Sequence, residues 1–141
     1  MALLFFSILA IVATYPSIRN LNTHIIGDGG DNVEYYAYLH IARDNILQMK
    51  YPWAYTYVYR YPYGFDFGLG SDAKAFVLLG GILSIFLQAP VVFNLLVISI
   101  FAANGFVSYL FFRSLTNSYA LGIIGGIAYG YSYYAMTRGH A

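Results

Sequence analysis

The sequence predicts an all-α, polytopic membrane protein. Of the 141 residues, 60% are hydrophobic and only 9% are charged, whereas a soluble globular domain carries roughly 25% charged residues. The mean hydropathy of +0.60 agrees with this class. The net charge of +1 gives no reason to expect nucleic-acid binding. The chain has no cysteine, which excludes disulfides, thiolate zinc sites and cysteine nucleophiles.

The first hydrophobic segment, 1–18, contains no charged side chain. As a helix it would rise about 27 Å, close to the thickness of the hydrocarbon core of a bilayer. It has neither a basic n-region nor a clear small-residue cleavage site, which favours a first span or signal anchor over a cleaved signal peptide.

A second stretch, 75–112, is uncharged and too long for one span. Pro90 divides it, because proline fits the first turn of a new helix. We therefore expect a short span or half-span over 75–88 and a full span over 91–112. A last span is expected over 119–136.

Glycines recur every four residues within the last of these spans. Such spacing places them on one face of a helix, where a second helix can approach closely. We expect this face to pack inside a bundle; its members are Gly122, Gly126 and Gly130.

The polar segment 19–74 carries all six acidic residues and five of the seven basic ones. It is expected to form one long extracytoplasmic loop, with an amphipathic helix over about 32–49 and an extended aromatic segment over about 51–67. On that helix His40 precedes Asp44 by four residues, so the two side chains are expected to pair on its face.

A glycine-rich acidic turn opens this loop. Asp28, Asp31 and Glu34 fall within seven residues, and scarce charge beside an apolar segment marks a candidate functional site. Asp31 and Glu34 match a capping box that would start the helix. Asp28 is not needed for that cap. Asp28 and Asp31 could share a divalent cation such as Mg²⁺ or Mn²⁺, or one carboxylate could act as general base.

Aromatic residues then alternate strictly over thirteen positions, from Tyr55 to Phe67. Period-two spacing places them on one face of an extended chain. Two interpretations remain open: an interfacial belt at the bilayer surface, or a platform on which sugar rings stack. Trp53 fits either interpretation. If the segment binds sugar, Trp53 and Tyr61 are the expected substrate contacts.

Arg138 and His140 lie at the end of the last span. Two such side chains could bind a lipid phosphate, or they could be ordinary snorkelling anchors.

In order, these features resemble the N-terminal region of the GT-C superfamily of integral-membrane glycosyltransferases. The residues that carry the resemblance are Gly27-Asp28-Gly29-Gly30-Asp31, Tyr61-Pro62-Tyr63-Gly64-Phe65-Asp66, Gly130-Tyr131-Ser132-Tyr133-Tyr134 and Gly139-His140.

The resemblance implies an enzyme that takes a sugar from a polyprenyl-phosphate-linked donor and gives it to a glycan, lipid or protein acceptor. It implies that Asp28 is the catalytic base or a metal ligand, with Asp31 as a second acid. It also implies a role near the donor phosphate for His140. The location implied is the plasma membrane of a prokaryote.

Two other classes of function are compatible with the residues. One is a transporter or flippase-like protein, whose pathway would need polar groups inside the membrane. The other is a non-catalytic membrane assembly protein, in which the acidic turn would only cap a helix. Residues 1–141 are expected to form a single transmembrane domain, the N-terminal part of a longer chain.

Overall fold

The computed structural model describes residues 1–15, 17–27, 29–70 and 73–133. Within these ranges all named secondary-structure elements are helices. A short 3₁₀-helix, Ser17–Asn20, precedes the acidic turn. The only β-type pairing in the described ranges is an isolated antiparallel bridge between Thr56 and Phe65. The six α-helices are α1 Ala2–Ala13, α2 Asp31–Leu47, α3 Phe67–Gly70, α4 Lys74–Leu83, α5 Ala89–Thr116 and α6 Tyr119–Gly130.

Four apolar helices occur where hydrophobic segments were expected, but their lengths differ from the prediction. Helix α1 ends at Ala13, inside the predicted span 1–18, and α4 ends at Leu83, before a turn. Helix α6 ends at Gly130, and residues 134–136 of the predicted span lie outside the described residues. Ten or twelve residues rise about 15 to 18 Å, roughly half of a hydrocarbon core.

Helix α5 is the exception, because its 28 residues extend beyond the expected 91–112 at both ends. It is the one described helix that is long and apolar enough to cross a membrane, and only 28% of its most apolar window is buried in the structure. Pro90 lies in its first turn, as predicted.

Helices α1, α5 and α6 pack together. The contact is close because Gly122, Gly126 and Gly130 are all buried on one face of α6. A Cβ atom added to Gly130 would lie 2.5 Å from the Gly105 Cα on α5, and one on Gly126 would lie 2.7 Å from the Gly105 carbonyl oxygen. The predicted packing role of this glycine face is confirmed.

Helices α2 and α4 pack on each other and on α5. Gly80 and Gly81 of α4 face Leu39 and Ala42 of α2, and a Cβ at Gly80 would lie 2.5 Å from the Leu39 Cγ. The largest hydrophobic core lies between these elements and the short helix α3. Its buried members are Tyr38, Leu39, Ile41, Ala42, Phe67, Val77, Val92 and Phe93.

The aromatic segment does not run straight, so the predicted single aromatic face is wrong. Thr56 and Phe65 exchange two backbone hydrogen bonds of 3.0 and 2.8 Å, and residues 57–64 between them form a loop, here called the tyrosine loop. Tyr59 and Phe65 pack against the core, whereas Tyr61 is 82% exposed. Side chains two residues apart lie on the same face only while the backbone stays extended, and here the backbone turns.

The glycine contact between α5 and α6 can be tested with Gly126→Ile. The added side chain would overlap the Gly105 carbonyl and the Phe6 ring, so we expect a loss of about 1–3 kcal/mol of stability. Thermal unfolding in detergent measures this effect. Ala128→Ile, at an exposed position of the same helix, should leave the midpoint unchanged. Equal midpoints for both variants would contradict the packing.

Candidate functional site

The acidic turn leads directly into α2, and its backbone requires glycine. Gly27 and Gly29 have φ values of +133° and +85°, a region that side chains other than glycine rarely occupy. A Cβ at Gly27 would also lie 2.5 Å from the Asn32 Cγ. The turn therefore folds back closely on the first turn of the helix.

The predicted capping box is wrong by one position. Gly30 occupies the N-cap and Asp31 is already the first helical residue. Because glycine has no side chain, the reciprocal bond of a capping box cannot form, and the Glu34 carboxylate is used differently.

Glu34 accepts hydrogen bonds from two phenols. Its Oε1 accepts one from the Tyr38 hydroxyl, one turn further along α2, and one of 3.0 Å from the Tyr59 hydroxyl on the tyrosine loop. Both bonds go to Oε1, so within the described ranges Oε2 receives no hydrogen bond and can accept one from a ligand.

Both phenols stay protonated over a wide pH range. Burial and the bond to Glu34 raise the pKa of Tyr38 well above its ordinary value of 10.0. The bond to Glu34, followed by burial, raises the pKa of Tyr59. The two hydroxyls are therefore fixed as donors, and they hold the carboxylate in one orientation.

A cavity of about 350 Å³ lies beside this group. Glu34 lines it together with a second carboxylate and two aromatic residues, and α3 closes one side. The lining residues are Asp31, Glu34, Tyr35, Tyr38, Leu69 and Gly70. Carboxylate and phenol oxygens in a partly apolar cavity suit a ligand that carries hydroxyl groups.

Asn94 on α5 holds the segment that leads into the acidic turn. Its side chain is fully buried, and its Nδ2 donates to the carbonyls of Leu21 at 3.0 Å and His24 at 2.7 Å. Its Oδ1 accepts from the Ile26 N–H at 2.8 Å. All three partners are backbone groups of the loop just before Gly27.

The aromatic residues predicted as substrate contacts lie elsewhere. Trp53 packs at the edge of the main core, and its Nε1 is buried with no hydrogen-bond partner in the described part of the chain. Tyr61 is exposed on the tyrosine loop. Neither residue lines the cavity.

The remaining predicted site residues, Asp28, Arg138 and His140, lie outside the described residues. Within the residues that are described, no group of three or more His, Asp or Glu side chains could hold a metal ion. A cation shared by Asp28 and Asp31 therefore stays a prediction.

The contacts of Glu34 were only weakly predictable from the sequence, and those of Asn94 were more predictable. Tyr38 follows Glu34 by four residues, a spacing that places two helical side chains in contact. The partner Tyr59 is 25 residues away, and no spacing rule predicts such a contact. Asn94 is a polar residue in an uncharged helix, and a buried amide must find partners.

His40 also differs from its prediction, because Asp44 pairs with Arg43 at 2.8 Å. The His40 ring instead packs edge-on against Tyr36, with 4.8 Å between centroids. Burial lowers the pKa of the imidazole below its ordinary value of 6.5, Arg43 lowers it further, and Asp44 opposes the change.

Replacing Asn94 by leucine should destabilise the fold. The change leaves two carbonyls and one N–H without partners, at a cost of about 3 kcal/mol. Thermal unfolding and limited proteolysis of residues 19–30 should both report the loss. Asn104→Leu, at an exposed position of the same helix, is the matched control. Proteolysis of 19–30 that is no faster in Asn94→Leu than in this control would refute the anchoring role.

The His40 environment predicts that acid weakens the fold. The folded imidazole has the lower pKa, so the unfolded chain binds the proton more readily. Stability from this group is fully present above about pH 6.5 and is lost as the pH falls below it. His40→Gln should flatten the decline in melting temperature on acidification, whereas His24→Gln, at an exposed position, should not. An unchanged slope in His40→Gln would rule this out.

Comparison of the chain with protein-family models, with curated protein sequences and with solved structures finds no match. The resemblance to GT-C glycosyltransferases, drawn from the sequence motifs, therefore stays a prediction.

Proposed function

We propose that this chain is the N-terminal part of a multi-pass membrane glycosyltransferase of the GT-C type. It would transfer a sugar from a polyprenyl-phosphate-linked donor to an extracytoplasmic glycan, lipid or protein acceptor. The observation that carries the proposal is the cavity at the start of α2. There Asp31 and Glu34 of the acidic turn meet two tyrosines.

The membrane part of the proposal is supported by apolar side chains that face outward. Most of the apolar window of α5 is unburied, which distinguishes it from the core helix of a soluble protein. Exposed large apolar residues also occur along α1, α4 and α6. We propose that lipid or further helices of a longer chain cover these faces in the plasma membrane of a prokaryote.

The chemistry proposed is proton removal from an acceptor hydroxyl. The acceptor oxygen forms a bond to the anomeric carbon of the sugar, and the bond from that carbon to the phosphate oxygen breaks. The proton passes to a first-loop carboxylate, and polyprenyl phosphate leaves with the bonding pair. By the resemblance Asp28 is the base, with Asp31 beside it. Arg138 and His140 would hold the phosphate.

Glu34 has a separate part in this proposal. Two phenols fix its orientation through Oε1, and Oε2 can accept a hydrogen bond from the acceptor hydroxyl. It would therefore hold the acceptor in the cavity that Asp31 also lines. No step of the proposal passes through a cation.

The test is sugar transfer by the reconstituted full-length protein from a panel of labelled polyprenyl-phosphate sugars. Asp28→Asn should reduce transfer by about 10²–10⁴-fold, the contribution of a general base, without a change in melting temperature. Asp44→Asn is the control, because Asp44 is an exposed carboxylate paired with Arg43.

Glu34→Gln removes the negative charge of the side chain but keeps the hydrogen bonds that join α2 to the tyrosine loop. The amide oxygen can still accept both phenol bonds, so the fold should persist while transfer falls through a higher acceptor KM. Full activity in Asp28→Asn would eliminate the catalytic assignment, and an unchanged KM in Glu34→Gln would eliminate the positioning role.

A further inference from the structure

The outward side of the tyrosine loop is a surface that the glycosyl-transfer proposal does not use. Its outward side chains are large and strongly exposed: Val58 by 85%, Tyr61 by 82% and Tyr63 by 86%. Exposed apolar and aromatic groups in such density mark an interaction surface.

The loop is held firmly at its base. The Thr56–Phe65 backbone pair closes it, and Tyr59 hydrogen bonds to Glu34 beneath it. The Tyr55 hydroxyl donates to the Tyr63 carbonyl. These contacts leave the tip little freedom to fold back and bury its own side chains, so the surface is presented outward.

The tyrosine loop is positively charged, which favours an anionic partner. Residues 57–64 carry Arg60 and no acidic residue. The Arg60 guanidinium stacks over Tyr59 and Phe65, 5.8 and 5.3 Å from the ring centroids. It makes no ion pair within the described ranges, where Arg43–Asp44 is the one salt bridge.

We propose that the tyrosine loop docks on the surface of a bilayer that contains anionic phospholipid. Tyrosine rings suit the headgroup region, because the ring is apolar and the hydroxyl stays hydrated. Arg60 contacts lipid phosphate, and Val58 enters the boundary with the acyl chains. The inward residues Tyr59 and Phe65 link this contact to α2. The inference does not depend on glycosyl transfer.

The experiment uses the full chain in nanodiscs and a tryptophan reporter at position 61. Trp53 is the single tryptophan of the chain, so the reporter protein combines Trp53→Phe with Tyr61→Trp. We expect its fluorescence to shift to the blue and to be quenched about twofold by lipids brominated near the headgroup. Adding about one-third phosphatidylglycerol to phosphatidylcholine should strengthen the quenching. The half-buried Trp53 of the unmodified chain should not respond to either change.

Arg60→Gln in the reporter protein should remove most of the dependence on phosphatidylglycerol. Arg43→Gln is the matched control, because it removes the same charge from an existing ion pair, and it should leave the dependence intact. Quenching by aqueous acrylamide without quenching by brominated lipid would overturn the proposal, as would lipid quenching that ignores lipid charge. Protection that appears only when two copies share one nanodisc would also overturn it, since the partner would then be protein.

Discussion

The structure depends first on Asn94, a fully buried amide at the start of an apolar helix. Its three hydrogen bonds fix both ends of residues 21–26 against α5. A buried amide without partners would be costly, so the helix can keep this residue only while the loop stays in place. The loop in turn determines where the acidic turn meets α2. One amide therefore connects the long apolar helix to the candidate site.

Glu34 makes the second long-range connection. Its Oε1 joins α2 to the tyrosine loop through Tyr59, and the rings of Tyr38, Tyr59 and Phe65 pack around this bond at centroid distances of 5.1 to 6.1 Å. The hydrogen bonds determine which tyrosines point inward. The remaining tyrosines of the loop stay on the surface. The regularly alternating aromatic residues are therefore divided into a buried group and an exposed group.

Glycines set the distances between helices in both halves of the fold. Gly105, Gly126 and Gly130 bring α5 and α6 into backbone contact. On α4, Gly81 approaches the backbone of α2, and Gly80 makes room for the Leu39 side chain. Close approach of this kind gains dispersion contacts over a large area. Helices of only ten or twelve residues can thus be held against α5, although none of them matches α5 in length.

The sequence by itself determined the helical class, the positions of the apolar helices and the glycine face of α6, because each follows from composition or a local period. It placed α2 within two residues of its observed ends. Helix lengths, the true N-cap at Gly30 and the roles of Glu34 and Asn94 were decided by tertiary structure. The hydrogen bonds Tyr59–Glu34 and Asn94–Leu21 join residues 25 and 73 positions apart, and local spacing carries no information about such pairs. The acidic turn was recognisable in the sequence, but the cavity beside it forms only where α3 packs against the start of α2.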